Sequence, residues 1–200
     1  AMTAVDRGSD GSATVNGNVA IGYNALAGGD FASADKDLVG NIAIGKNALD
    51  ATVANSQTGT IAIGHEALTT LTSGTQNIAI GYEALEELTE GYNNVALGYQ
   101  AGTSISSTTS TDNTIVGDRA GTGGSGAMVY CTAIGSGALN GTGTRNSFMN
   151  TAIGFGSMGG SFGGTVNYNT AVGGNTMTGA LNAAYYNVAL GYTALQALTT

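Results

Sequence analysis

The chain has 200 residues, 42% of them apolar, with 34 glycines, no proline, no tryptophan and one cysteine, and its formal charge is −8. Five scattered basic residues are too few for the clustered phosphate contacts of a nucleic-acid binder or for anchoring to an anionic membrane. No run approaches the ~20 apolar residues of a membrane span, and a single cysteine excludes an intrachain disulfide framework.

Residues 1–17 read as an N-terminal extension or expression remnant, and 18–200 as one repeat domain, a fragment of a longer fibre. From Asn18 onward the chain writes ten versions of Asn-(Val/Ile/Thr)-Ala-(Ile/Leu/Val)-Gly. The closing glycines are Gly22, Gly45, Gly64, Gly81, Gly98, Gly117, Gly135, Gly154, Gly173 and Gly191. The first step is 23 residues and the rest are 17 to 19. Units this short cannot bury an apolar face alone and must stack on their neighbours. The fold class predicted is all-β: a parallel β-solenoid of about ten coils. At ~4.8 Å per coil it would be a rod ~40–45 Å long, thin enough that association with further copies is expected.

Positions in each coil are counted from its glycine. A short strand occupies −3 to −1. Side chains alternate along a strand, so −3 (Val, Ile or Thr) and −1 (Ile, Leu or Val) share one face. That face is assigned to the coil interior. Position −2, alanine in nine coils and Ile115 in the sixth, then points outward, where a small residue implies close approach by a sister subunit. Its candidate trimer-interface residues are Ala20, Ala43, Ala62, Ala79, Ala96, Ala133, Ala152, Ala171 and Ala189. Asparagine fills −4 in eight coils, with Thr60 and Cys131 in the others. Stacked amides of this kind form ladders along the axis. The glycine turns the chain, and an x-x-Ala-Leu element, as in Asn24-Ala25-Leu26, returns a leucine to the core. A helix over 82–90 is rejected because it would be too short to stand alone.

Asn41-Ile42-Ala43-Ile44-Gly45 and Asn77-Ile78-Ala79-Ile80-Gly81 resemble the head repeats of trimeric autotransporter adhesins of the YadA type. The longer unit, from Asn77 through Leu85 and Gly91 to Asn94–Gly98, is similar to repeats in phage tail fibres. The resemblance implies a β-roll, three chains around a fibre axis, and binding to cell surfaces. The coil here is longer than the adhesin head repeat, so loops project further.

Charge is divided sharply along the array. All 13 acidic side chains lie at or before Asp118, and beyond Arg119 only Arg145 is charged. Aromatic residues crowd the neutral half among Asn, Thr and Ser, whose polar groups suit sugar hydroxyls. Candidate receptor-binding residues are Tyr130, Phe148, Phe162, Tyr168, Tyr185 and Tyr186, with a glycan as the expected ligand. Position +1 varies widely, which marks it as exposed. Glu83, Glu86, Glu87 and Glu90 read as a solvated acidic face in preference to a cation site, so no metal and no cofactor are expected. His65 and Cys131 have no partners in sequence for catalysis. The two G-x-G-x-x-G matches, from Gly121 and from Gly154, open no helix and lack the acidic residue of a dinucleotide site.

The function expected is a structural and adhesive fibre segment, of the phage tail-fibre kind, attaching to a host surface. The alternative owner is a bacterial adhesin head. Location would be extracellular, on a virion or a cell surface. An enzyme is not expected, since no carboxylate pair is singled out by spacing. An ice-binding solenoid would need a flat threonine array. Thr114, Thr132, Thr151 and Thr170 do recur at −3, but the parity assigned above turns them inward.

Overall fold

The computed structural model describes residues 14–27, 37–51 and 56–196. Most of the N-terminal extension and the end of the chain, 197–200, lie outside the described residues. Among those described there is no helix. Ten three-residue strands, one per repeat from Val19–Ile21 to Val188–Leu190, stack parallel in a single ten-stranded sheet. Two-residue strands such as Leu38–Val39 and Ser110–Thr111 form two further parallel sheets beside it. The fold is a parallel β-solenoid of about nine turns. Its coils are numbered 1 to 10 by their glycines.

Identical positions pair throughout. Ile61, Ala62 and Ile63 lie opposite Ile78, Ala79 and Ile80, and the longest step keeps the same pairing, Val19 with Ile42 and Ala20 with Ala43. The closing glycine enforces this stacking. At Gly81 φ is +142°, and a Cβ there would run into the carbonyl oxygen of Gly98 in the next coil. No other residue tolerates both the angle and the contact.

Strand parity is the reverse of the sequence-based expectation. Ala43, Ala62, Ala79, Ala96, Ala133, Ala152, Ala171 and Ala189 are buried in the chain's own interior, and Ala20 packs against the same core. They cannot serve as the surface offered to a sister subunit. The β-branched residues at −3 and −1 face outward instead, among them Ile21, Leu97, Ile134 and the threonines Thr114, Thr132, Thr151 and Thr170. The physical reason is shared parity. Asparagine at −4 and alanine at −2 lie on one side of the strand, and the amide ladder needs a dry interior. The coil is also narrow. In most coils the returning leucine or methionine, such as Leu49, Leu68, Leu85 or Met158, is fully buried in the same interior, which leaves no room for a second large side chain.

The exception at −2 supports this account. Ile115 is fully buried where the other coils have alanine. In coils 5 and 6 the returning leucine is replaced by Gly102 and Gly121. A Cβ on Gly102 would meet Leu85 Cδ2 at 2.7 Å and Ile115 Cδ1 at 3.3 Å, and one on Gly121 would meet Ile115 Cγ2 at 3.1 Å. Ile115 fills part of the volume that the two missing leucines vacate, together with Ile105, whose Cδ1 would stand 3.2 Å from a Cβ on Gly102, so little void is left.

The expected asparagine ladder is present. Asn77 Oδ1 accepts from the backbone N–H of Asn94 at 3.1 Å and from Asn94 Nδ2 at 3.0 Å. Asn94 Nδ2 also donates to the carbonyl of Ser110 at 3.1 Å. The same pattern links Asn94 to Asn113 and Asn150 to Asn169 and Asn187. Thr60 and Cys131 interrupt it. The Thr60 hydroxyl is buried without a hydrogen-bond partner. The Cys131 thiol replaces the missing amide donor, donating to the carbonyl of Ser147 at 3.3 Å. Burial pushes that thiol up from its ordinary pKa, so it behaves as a small core residue and not as a nucleophile.

Candidate functional site

Three outer surfaces remain once the interior is filled: the strand face, the turn edge after the glycines, and the corner before the strands. The strand face carries two in-register columns. In coils 1 to 5 both are aliphatic, from Val19 and Ile21 to Val95 and Leu97. In coils 6 to 9 threonine takes −3 while −1 stays aliphatic, as in Thr132 with Ile134 and Thr151 with Ile153. Among the described residues, no segment covers this face.

The turn edge is also laddered by backbone. The N–H at +2 donates to the carbonyl at +1 of the preceding coil, as in Glu83 N to His65 O at 2.9 Å. Side chains at +1 and +2 therefore stack coil on coil. The His65 and Tyr82 rings lie 5.0 Å apart, and those of Tyr82 and Tyr99 5.4 Å apart, both nearly parallel. The Arg119 guanidinium caps the column 5.6 Å from the Tyr99 ring. Beside the rings runs a polar row: Asn47 donates to Glu66 at 3.2 Å, Gln100 to Glu83 at 2.7 Å and Arg119 to Gln100 at 3.3 Å.

The acidic cluster differs from the one read in sequence. Glu83 and Glu86 are joined by Glu66 from the preceding coil, with carboxylate oxygens of all three within 4.8 Å of one another. Glu87 and Glu90 are exposed. Burial, then the charges of Glu83, Glu66 and Glu87, raise the Glu86 carboxyl above its usual range. His65 Nδ1 lies 3.7 Å from Glu66. The three carboxylates repel one another, and their oxygens are close enough together to share a hard cation.

The corner is where the receptor candidates converge. At −5 the backbone is left-handed in every coil, between φ 52° and 67°. Gly17, Gly40 and Gly59 fill it in the first three coils, then Gln76, Asn93 and Asp112. In coils 7 to 10 it holds Tyr130, Met149, Tyr168 and Tyr186, all exposed. A bulky residue in this conformation costs about 1–2 kcal/mol relative to a relaxed one. Tyr168 and Tyr186 stack with centroids 5.0 Å apart and planes 4° apart, and Tyr185 lies tilted against Tyr186. Phe148 is half-buried beside them. Phe162 is not part of this surface. It is 8% exposed and pairs with Leu181, lining the core on the return wall that Leu71 and Leu88 line in front. The loop composition around Phe162 concealed a core position one residue out of step.

Comparisons with protein-family models, with curated proteins and with solved structures find no match. The corner column was detectable beforehand. A position that reads Gly, Gly, Gly, Gln, Asn, Asp marks a left-handed backbone, against which three tyrosines stand out.

Proposed function

We propose that the chain is a segment of a homotrimeric attachment fibre of the phage tail-fibre kind, with its strand face turned toward sister chains and its neutral half toward a host-surface glycan. The observation that carries this reading is the outward double column of Val, Ile and Leu on a ten-stranded sheet. A contiguous apolar strip of this size on a single chain marks an interaction surface. Identical repeats with a fixed pitch are complementary to further copies of themselves, since every column on one chain meets the same column on the next. Three chains, and many fibres, multiply weak single contacts into stable attachment. A bacterial adhesin head would use the same physics.

Light scattering tests the assembly directly. The expected mass is that of three chains, and a folded single chain would overturn it. One observation favours a second reading. Thr114, Thr132, Thr151 and Thr170 form an in-register outward row, the arrangement a flat ice-binding face requires. A folded single chain that lowers the freezing point below the melting point would establish that reading in place of the fibre.

A further inference from the structure

On the turn edge, the polar row stops abruptly. The +2 positions of coils 3 to 6 are Glu66, Glu83, Gln100 and Arg119, whose side chains bridge from coil to coil. In coils 7 and 8 they are Gly137 and Gly156. With no bridging side chain there, a groove of about 320 Å³ opens across coils 6 to 9. Its span over three coil steps is about 14 Å.

The groove has a definite chemistry. Its floor is backbone at Gly137, Gly156 and Gly159. Asp118 and Arg119 close one end, and Asn175 and Thr178 the other. The Asn140 amide lies over the floor: a Cβ on Gly137 would stand 3.4 Å from its Nδ2, and one on Gly159 3.2 Å from its Oδ1. The Asn175 Oδ1 would stand 2.7 Å from a Cβ on Gly156. Neither amide side chain has a hydrogen-bond partner among the described residues. Between them rises the Phe155 ring, 66% exposed and lining the groove. An exposed phenyl beside free amides and one carboxylate matches a ligand with an apolar ring face and a rim of hydroxyls. Asp118 and Arg119 balance in charge, and no other charged group lines the groove, so neither a polyanion nor a polycation is favoured.

We propose that this groove is a binding site for a neutral oligosaccharide, with Phe155 stacking on a sugar ring and Asn140, Asn175 and Asp118 holding its hydroxyls. The inference rests on the attachment role proposed above and gives it a place and a ligand class separate from the tyrosine corner. Extending across several coils, the site takes consecutive rings of one chain. The glycines at 137 and 156 are the devices that make room for it.

The test is titration calorimetry and saturation-transfer NMR of the intact chain with maltotetraose, cellotetraose, mannotetraose and N-acetylchitotetraose, with tetragalacturonate as an anionic comparison. At least one neutral tetrasaccharide binds, and Phe155→Ala weakens it ten-fold or more. Gly156→Asn does the same by filling the floor. That variant keeps the fold, because Asn175 occupies the equivalent turn-edge position one coil on with φ 50°, and an unchanged circular dichroism spectrum verifies it. Tyr23→Ala, an exposed ring on the turn edge of coil 1 far from the groove, leaves the affinity within two-fold. If neutral sugars bind but only Tyr168→Ala and Tyr186→Ala weaken them, the groove is overturned and attachment moves to the corner. If no tetrasaccharide binds while the mass is three chains, the groove and its ligand class fail and the fibre reading stands.

Discussion

Coils 1 to 5 and coils 6 to 10 share one backbone and spend their side chains differently. The front coils bridge their turn edge with Glu, Gln and stacked rings, keep glycine or a polar residue at the left-handed corner, and present aliphatic columns on the strand face. The back coils place glycine at +2 in coils 7 and 8, tyrosine at the corner in coils 7, 9 and 10, and threonine on the strand face in coils 6 to 9. The sites that maintain pitch, the closing glycine and the −4 ladder, continue through both halves. The difference teaches that pitch and surface are separable here: the closing glycine and the −4 ladder fix the solenoid, and the surface positions vary without moving it.

The comparison breaks most completely at the strand face. Replacing Ile44, Ile63 and Ile80 together by Lys in the aliphatic half is expected to reduce the mass in light scattering from three chains to one. The same triple change at Thr132, Thr151 and Thr170 shifts the association equilibrium far less, since those columns bury less apolar area. Equal effects from both triples would erase the distinction between the halves.

At the junction, Ile115→Ala leaves a cavity and is expected to cost about 3 kcal/mol in urea unfolding. Adding Gly121→Leu restores much of the loss, because the same left-handed position carries Leu49 and Leu68 in other coils. Additive destabilisation by the two changes would refute the volume exchange.

Cys131→Asn joins the central and rear ladder runs. Its amide would reach Asn113 Oδ1 and the Ser147 carbonyl, as Asn94 reaches Asn77 and Ser110. A gain of about 1 kcal/mol in stability is expected from the added buried bond. A loss would mean the thiol site is too small for an amide.

The smallest effect is electrostatic. Glu86 is held above its usual pKa by burial and by Glu83, Glu66 and Glu87. A raised carboxylate pKa means the folded state favours the proton, so stability rises as pH falls from neutral toward the usual carboxylate range. Glu86→Gln removes that part of the pH dependence and adds less than about 1 kcal/mol at neutral pH. An unchanged slope of stability against pH would show that Glu86 is not responsible.

The repeat made the fold legible. Ten glycines in phase sufficed for a solenoid, and the asparagines at −4 for its ladder. Which face was inside was not legible from hydrophobicity, because alanine in a narrow coil outcompetes isoleucine for the interior. The information was nonetheless present in parity: a ladder of Asn94 and Asn113 must be dry, and alanine at −2 goes in with it. Tyr130, Tyr168, Tyr185 and Tyr186 were legible as exposed rings, and the left-handed corner that holds Tyr130, Tyr168 and Tyr186 becomes legible once position −5 is aligned across the coils, where it reads Gly, Gly, Gly, Gln, Asn, Asp. Phe162 misled because loop lengths differ by a residue between coils, which shifts the core position on the return wall. The groove depends on what Gly137 and Gly156 lack, and an absence stands out only once the neighbouring coils are aligned in space.

The in-register stacking of unequal coils has an evolutionary consequence. Val19 pairs with Ile42 across a step of 23 residues as Asn94 pairs with Asn77 across 17. Inserted or deleted codons in the return loop are absorbed outside the ladder and leave every later coil in place. A gene of this design can therefore drift in loop length, one repeat at a time, and sample new surfaces while its ruler stays calibrated.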